Sequence, residues 1–298
     1  MMIKRLENSW KVLKKGRWGY FFLLPSLIPF SVFFILPLIR AVILSFSEVV
    51  PGHWNFVGIT NYVGVFRDPV YWIAMKNTII FAGVVVFGGL LIMLILSVLV
   101  FPLRVILQTL FKGAFYLPTV ISIVVVTMMW TWLYNPAFGL LNYLLSLLNI
   151  EPVVWLGNVH IALAALIIMT LATGTGTGVI LITASMGSIS VELYDAARID
   201  GAGNWTLFWK ITMPLIRPVI LYLLVISTID CFQIFTPMWI MTRGGPQYAT
   251  ISVAFLVYRT AFQSFKLGSA AAQSIVLFFF ILIISVIYFK LMGKEIEL

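Results

Sequence analysis

The chain has 298 residues and a mass of 33.5 kDa; 62% of its residues are hydrophobic, 10% are charged, the mean hydropathy is +1.08 and the net charge is +9. Soluble domains run at about 45–50% apolar and about 25% charged residues. This much apolar surface therefore needs lipid as its main solvent, which excludes a soluble enzyme, a disulfide-stapled secreted domain and a disordered hub.

The single cysteine, Cys231, excludes an internal disulfide and a multi-cysteine zinc site, and His53 and His160 stand too far apart to suggest a metal cluster. In a soluble chain the basic excess would suggest nucleic acid; here membrane topology explains it better, and no nucleic-acid partner is expected.

In chain order, residues 1–18 read as a basic tail. Leu6, Trp10 and Leu13 fall at helical spacing between Lys4 and Arg17, which predicts a short amphipathic helix on the membrane surface. The plainer reading is a topology anchor. No cleavable signal peptide is expected, because the apolar run that follows is long and no small-residue cleavage site follows it.

A crossing helix needs about 20 mostly apolar residues. Gly19–Ile39 supplies the first, with Pro25, Pro29 and Pro37 expected to kink or shift it. Asn77–Leu103 is the second. Gly113–Ile150 is too long for one span, and Asn135-Pro136 cuts it, so the third should end near Tyr134. Leu156–Thr183 is the fourth, Pro218–Thr242 the fifth, interrupted by Asp230, and Leu267–Phe289 the sixth. The runs are continuous rather than alternating, which argues against a β-barrel.

The expected domain is thus a six-helix membrane unit over 19–292, with a loop over 186–217 and a C-terminal tail at 293–298. With six spans, thirteen of the Lys and Arg residues lie on the side of the N-terminus and six on the other. That bias predicts a multi-pass protein with both termini in the cytoplasm and the loops Glu48–Lys76, Asn135–Leu156 and Arg243–Lys266 outside.

The most informative stretch is the cytoplasmic loop Val191–Pro214. Ser190 is a good N-cap, and Glu192 and Asp195 suit the first turns of a helix, where the dipole favours acids. Ala196 and Ala197 favour helix and add no bulk. Asp200-Gly201 is a stop, with Gly201 free to take positive φ. A second helix presents Trp205, Phe208 and Trp209 and should end at Pro214. A hairpin with one small face and one aromatic face suits docking into a groove of another protein; the alternative is an amphipathic surface hairpin.

Asp195-Ala196-Ala197, Asp200-Gly201-Ala202, Phe208, Ile211 and Pro214 stand in a spaced pattern that resembles the coupling loop, or EAA loop, of ABC importer permeases. The family usually carries glutamate where Asp195 stands; aspartate keeps the charge on a side chain one methylene shorter. The segments Leu24-Pro25 to Phe46, Asn61-Tyr62, Asn77-Thr78, Trp132–Pro136 with Gly139 and Asn142, and Met241–Pro246 resemble the maltose- and glycerol-phosphate-type branch, and within it the first of two unlike permeases.

The resemblance implies an all-α type I importer permease core in a bacterial or archaeal cytoplasmic membrane. It also implies a second homologous permease, two ATPase subunits that bind ATP and Mg²⁺, and an extracytoplasmic solute-binding protein. By it, Glu192, Asp195, Ala196, Ala197, Asp200, Gly201, Ala202 and Phe208 would couple to the ATPases. The chain has no G-x-x-x-x-G-K-S/T loop of its own, so it is expected to be a translocation subunit without cofactor rather than an enzyme.

Polar residues inside the spans remain. Gly174-Thr-Gly-Thr-Gly178 suits close helix packing, or lining of a pathway, rather than phosphate binding. Asp230 lies mid-span, where an acid costs about 2.5–3.5 kcal/mol and should face a partner or a wet cavity. Ser227, Asp230 and Gln233 share one stripe, with Phe232 and Phe235 beside it. Together with Thr173 they are candidates for a solute pathway; the alternative for Asp230 is a structural tie to a neighbouring helix. Spans two to six contain no Lys or Arg, which favours a neutral sugar, oligosaccharide or polyol over a phosphate ester. The rival functions are an importer permease for a non-sugar solute, a secondary transporter or channel, and a membrane-embedded enzyme.

Overall fold

The computed structural model describes residues 17–50 and 53–292. The amphipathic segment expected from Lys4 and the tail 293–298 lie outside the described residues. Helix α1 (Arg17–Phe30), a π turn (Ser31–Ile35) and α2 (Leu36–Ser45) follow without a break. At the π turn Leu36 N–H donates to the Ser31 carbonyl, immediately ahead of Pro37. A proline ring clashes with the carbonyl four residues back, here Phe33; the wider turn spans that position, so the helix continues.

Strands β1 (Ser47–Val50) and β2 (His53–Phe56) then pair antiparallel, with Ser47 opposite Phe56. Helix α3 (Thr60–Arg67) returns beneath them and ties the end of α2. Asn61 Nδ2 donates to the Ser45 and Ser47 carbonyls at 3.0 and 2.9 Å, and Tyr62 Oη lies 2.7 Å from Ser45 Oγ.

The second crossing, α4 (Pro69–Val100), starts eight residues before the expected Asn77. Asp68 caps it, accepting from Val70 N–H at 2.9 Å, and Pro69 opens its first turn. Lys76 is exposed inside this helix. The third crossing departs further from expectation. It is a broken pair, α5 (Val105–Val120) and α6 (Ile123–Leu133), bent by 96°. Ile121 and Ser122 are extended at the break, and Pro118 withdraws an N–H from the last turn of α5. Asn135 does end α6, its Oδ1 accepting from Ala137 and Phe138 N–H.

After α7 (Leu140–Leu147), the fourth crossing is α8 (Ala162–Thr173) and α9 (Gly176–Gly187), bent by 43° at Gly174-Thr175. A helical hairpin follows: α10 (Val191–Ile199), then α11 (Asn204–Leu207), a π turn (Phe208–Thr212) and α12 (Met213–Phe232). The expected stop at Pro214 does not occur. Met213 N–H donates to the Phe208 carbonyl, and this wide turn covers Lys210, the residue Pro214 would otherwise strike. The hairpin's second arm and the fifth crossing are therefore one helix, Asn204–Phe232. It ends ten residues short of the expected Thr242; a separate π turn covers Met238–Thr242. Helix α13 (Val253–Tyr258), a π turn (Arg259–Gln263) and α14 (Leu267–Met292) complete the chain.

Among the described residues, four helices are long and apolar enough to cross a membrane, and six crossings result when each bent pair counts as one. The core forms where α12 packs on α4 and α14, with α9 set against α4, α5 and α12. Tyr71, Phe81, Leu166, Ile182, Ile216 and Phe255 are buried at its centre. At the end of α4 away from the helical hairpin, Asn77 Nδ2 donates to the Tyr248 and Ile251 carbonyls at 2.8 and 3.1 Å, and Thr78 Oγ1 accepts from Val253 N–H at 3.0 Å.

Candidate functional site

The helical hairpin closes as its residues suggest. Ser190 Oγ accepts from Glu192 N–H at 3.2 Å. At the other end of α10, Gly201 N–H donates to the Arg198 carbonyl at 3.0 Å and Ala202 N–H to the Ala197 carbonyl at 2.9 Å. This pair of bonds is a Schellman cap, and it requires the left-handed residue that Gly201 supplies at φ +82°. Nothing lies within 4 Å of a β-carbon built there, so the position selects glycine through backbone conformation rather than crowding. Tyr194 Oη and Thr212 Oγ1, 2.9 Å apart, tie α10 to the π turn; neither residue stands out in the sequence.

Between the two arms lies a cavity of about 410 Å³, lined by Ala197, Asp200, Gly201 and Ala202 on one side and by Thr206, Leu207, Lys210 and Ile211 on the other. Four of the eight coupling candidates thus meet. Glu192, Asp195 and Ala196 are exposed on α10 outside this cavity. Asp195 pairs with Arg198 at 3.7 Å, both side chains 61% exposed; such a pair contributes little and leaves the carboxylate free to exchange partners. Phe208 stands apart, half-buried and turned towards α4.

Higher in the membrane unit, Ser227 and Asp230 line a smaller cavity of about 150 Å³ with Thr170, Gly174 and Thr175 at the break of the fourth crossing, and with Gly89 of α4. Among the described residues, Asp230 has no ion pair and no hydrogen-bond partner, and its side chain is exposed. Gln233 is exposed just past the end of α12 but does not line this cavity. Thr173 spends its hydroxyl on the Met169 carbonyl at 2.8 Å.

Phe232 is buried in the core, because two residues along a helix is a rotation of about 200° from Asp230. Phe235 packs with Trp239, Phe255 and Tyr258, at ring separations of 6.3, 6.1 and 5.0 Å, and not beside Asp230. The glycine run divides its roles. Gly174 and Thr175 line the cavity, while a β-carbon on Gly176 would overlap the Phe115 carbonyl and one on Gly178 would overlap the Met93 side chain. Thr175 belongs to the run that the sequence offers for pathway lining, whereas Thr170 is an addition that no sequence signal isolates, since its position depends on the bend.

Comparison with known proteins agrees with this architecture. Residues 89–294 match the family described as binding-protein-dependent transport system inner membrane component. The trehalose/maltose transport system permease protein MalF of Thermococcus litoralis is 33% identical over 286 residues, 93% of this chain and 94% of that protein. The sn-glycerol-3-phosphate transport system permease protein UgpA of Escherichia coli is 32% identical over 302 residues, 97% of this chain and 99% of that protein. Among solved structures, a bacterial ABC transporter involved in import of the acidic polysaccharide alginate superimposes with a TM-score of 0.85 at 25% identity, covering 97% of this chain and 100% of that one. With crossings, helical hairpin and family match in agreement, the chain belongs to the inner-membrane components of binding-protein-dependent transport systems, the permeases of ABC importers.

Proposed function

We propose that this permease carries a neutral sugar, oligosaccharide or polyol through the membrane and is driven by two ATPase subunits that dock on the helical hairpin. One observation carries this reading: the hairpin's second arm and the wall of the Asp230 cavity belong to a single helix, Asn204–Phe232. At about 1.5 Å per residue that helix is roughly 43 Å long. A push delivered on the second arm, from Asn204 onward, therefore reaches Asp230 without crossing a loop. Glu192, Asp195, Ala196, Ala197, Asp200, Gly201 and Ala202 form the docking face; Phe208 serves from the other side, by seating the arm against α4. ATP and Mg²⁺ belong to the ATPases.

The cavity chemistry favours uncharged cargo. Ser227, Thr170, Thr175 and Asp230 line part of it beside apolar Val85, Met93 and Leu171, with no Lys or Arg among the lining residues. A carboxylate accepts from two hydroxyls at once, as a sugar offers; an anion would meet repulsion. Trehalose/maltose and arabinooligosaccharides in the names of two relatives support sugar transport, while glycerol phosphate and alginate in others mark the anionic alternative.

The remaining assembly follows from exposure. Helices α1 and α5 bury almost nothing within the chain, leaving apolar faces for a second permease and for lipid. A solute-binding protein would deliver cargo at the end opposite the hairpin, with both termini on the hairpin's cytoplasmic side. The test is reconstitution with the companion subunits and stimulation of ATP hydrolysis by a panel of neutral sugars and their phosphorylated forms. Stimulation by a phosphate ester alone would overturn the neutral assignment.

A further inference from the structure

A third cavity, of about 480 Å³, lies on the hairpin side of the membrane unit. Leu91, Ile95 and Val98 of α4 form one wall, and Trp205, Phe208 and Trp209 the other. We propose that this groove seats one acyl chain of an anionic phospholipid from the hairpin-side leaflet, with the headgroup beside Trp205, Trp209 and Lys210. The inference goes beyond the transport reading and is independent of the solute.

Length is the first argument. From Leu91 to Leu99 α4 rises about 12 Å, close to the roughly 15 Å of one leaflet in a hydrocarbon core about 30 Å thick. The second is position. Leu91, Ile95 and Leu99 are each more than half exposed, so the groove opens onto the face that α4 presents to lipid. Its outer end carries two tryptophans, Trp205 and Trp209, 5.8 Å apart ring to ring. Among the described residues neither indole N–H has a hydrogen-bond acceptor. Tryptophan prefers the headgroup level, where the ring is apolar and the N–H finds an acceptor.

Charge is the third. Lys210 follows Trp209 and is exposed; it lines the hairpin cavity rather than the groove, so its long side chain meets a headgroup by reaching round the edge of the arm, and among the described residues it has no ion pair. A lysine at the membrane surface attracts anionic headgroups. The same short segment has the docking cavity on its other side, through Thr206, Leu207 and Lys210. A lipid in the groove would brace the arm from behind while the ATPase engages its front.

The test uses the importer purified with its companion subunits in phosphatidylcholine nanodiscs doped with a phosphatidylglycerol that carries a mid-chain diazirine. Peptides covering 88–100 and 204–213 should label roughly fivefold more than the lipid-exposed Phe278-Phe279 segment of α14, and more than with a phosphatidylcholine probe of the same chain. Val98→Trp, which fills the groove, should remove the excess while α14 labelling stays. Labelling equal to that of α14, or equal from both headgroups, overturns the proposal on the unsubstituted protein alone. Cross-linking of Val98→Cys to the companion permease would also overturn it, by giving the groove to protein.

Discussion

The rod Phe22–Ser45 and the helix Asn204–Phe232 look alike in sequence. Both are apolar, both carry prolines, and each passes a proline through a π turn. In the most apolar 18-residue window of the first, no residue is buried within the chain; in that of the second, 44% are. Hydropathy measures avoidance of water, and leucine fares equally well against lipid or protein. What separates the two is the surroundings on which close approach depends. The second helix packs on α4, α9 and α14, inside a bundle that glycines of α9 draw together, Gly176 against Phe115 of α5 and Gly178 against Met93 of α4. The first has no glycine between Phe22 and Ser45; its packing within the chain runs along α14, through α2, and at Ser45, where Asn61 and Tyr62 hold it.

Substitutions put this difference to the test. Gly176→Val should have the largest effect, because the new β-carbon meets the backbone at Phe115 and cannot be relieved by a rotamer change. A loss of about 3 kcal/mol or more is expected in thermal melts. Gly83→Val, with nothing within 4 Å of its β-carbon, should cost about 0.5 kcal/mol or less. Equal losses at the two positions would refute the close-packing account.

Asn77→Ala comes next. It strands the Tyr248 and Ile251 carbonyls, so a loss of about 2 kcal/mol is expected, with faster proteolysis of the loop after Thr242. For Gly201→Leu the melt should fall by only about 1–2 kcal/mol, the cost of left-handed backbone in a residue with a β-carbon. Uptake should be nearly abolished while the chain still assembles; normal uptake would remove the hairpin from the coupling role.

Asp230→Asn and Asp230→Ala should both lower uptake with stability unchanged to within about 1 kcal/mol. If Asp230 ties helices instead, Asp230→Ala will reduce the yield of assembled complex and leave uptake per complex intact. The smallest change should follow Phe33→Ala. The exposed ring adds about 0.5 kcal/mol or less to the stability of the isolated chain, yet its loss should reduce recovery of the companion permease if α1 lies against it.

Local chemistry was legible from the residues. Ser190, Asp200 and Gly201 announce their cap and turn because each acts on a backbone group a few residues away. The crossings were legible as long apolar runs. Their bounds were less so: Lys76 looks like a boundary, yet a lysine stem can lie along an apolar helix with its charge at the surface, and Asp68-Pro69 is the true start. The break at Ile121-Ser122 has no glycine to announce it and depends on what α5 and α6 each meet. Pro37 and Pro214 read as punctuation only when an α ladder is assumed. Phe232 was grouped with Asp230 by nearness in sequence, which a helix turns into opposite faces.

The π turn at Phe208–Thr212 has a further consequence, one of phase. It holds one residue more than an α turn would, and everything after it, as far as Phe232, is rigidly helical. The azimuth of Asp230 about the helix axis is therefore set relative to the hairpin by that single surplus residue. Deleting it would rotate the far end by about 100° and carry the carboxylate off the cavity wall without altering either the hairpin or the cavity lining contributed by α4, α8 and Thr175. Between Asn204 and Ser227 the residue count of this helix matters as much as its side chains, and behaves like the tooth count of a gear.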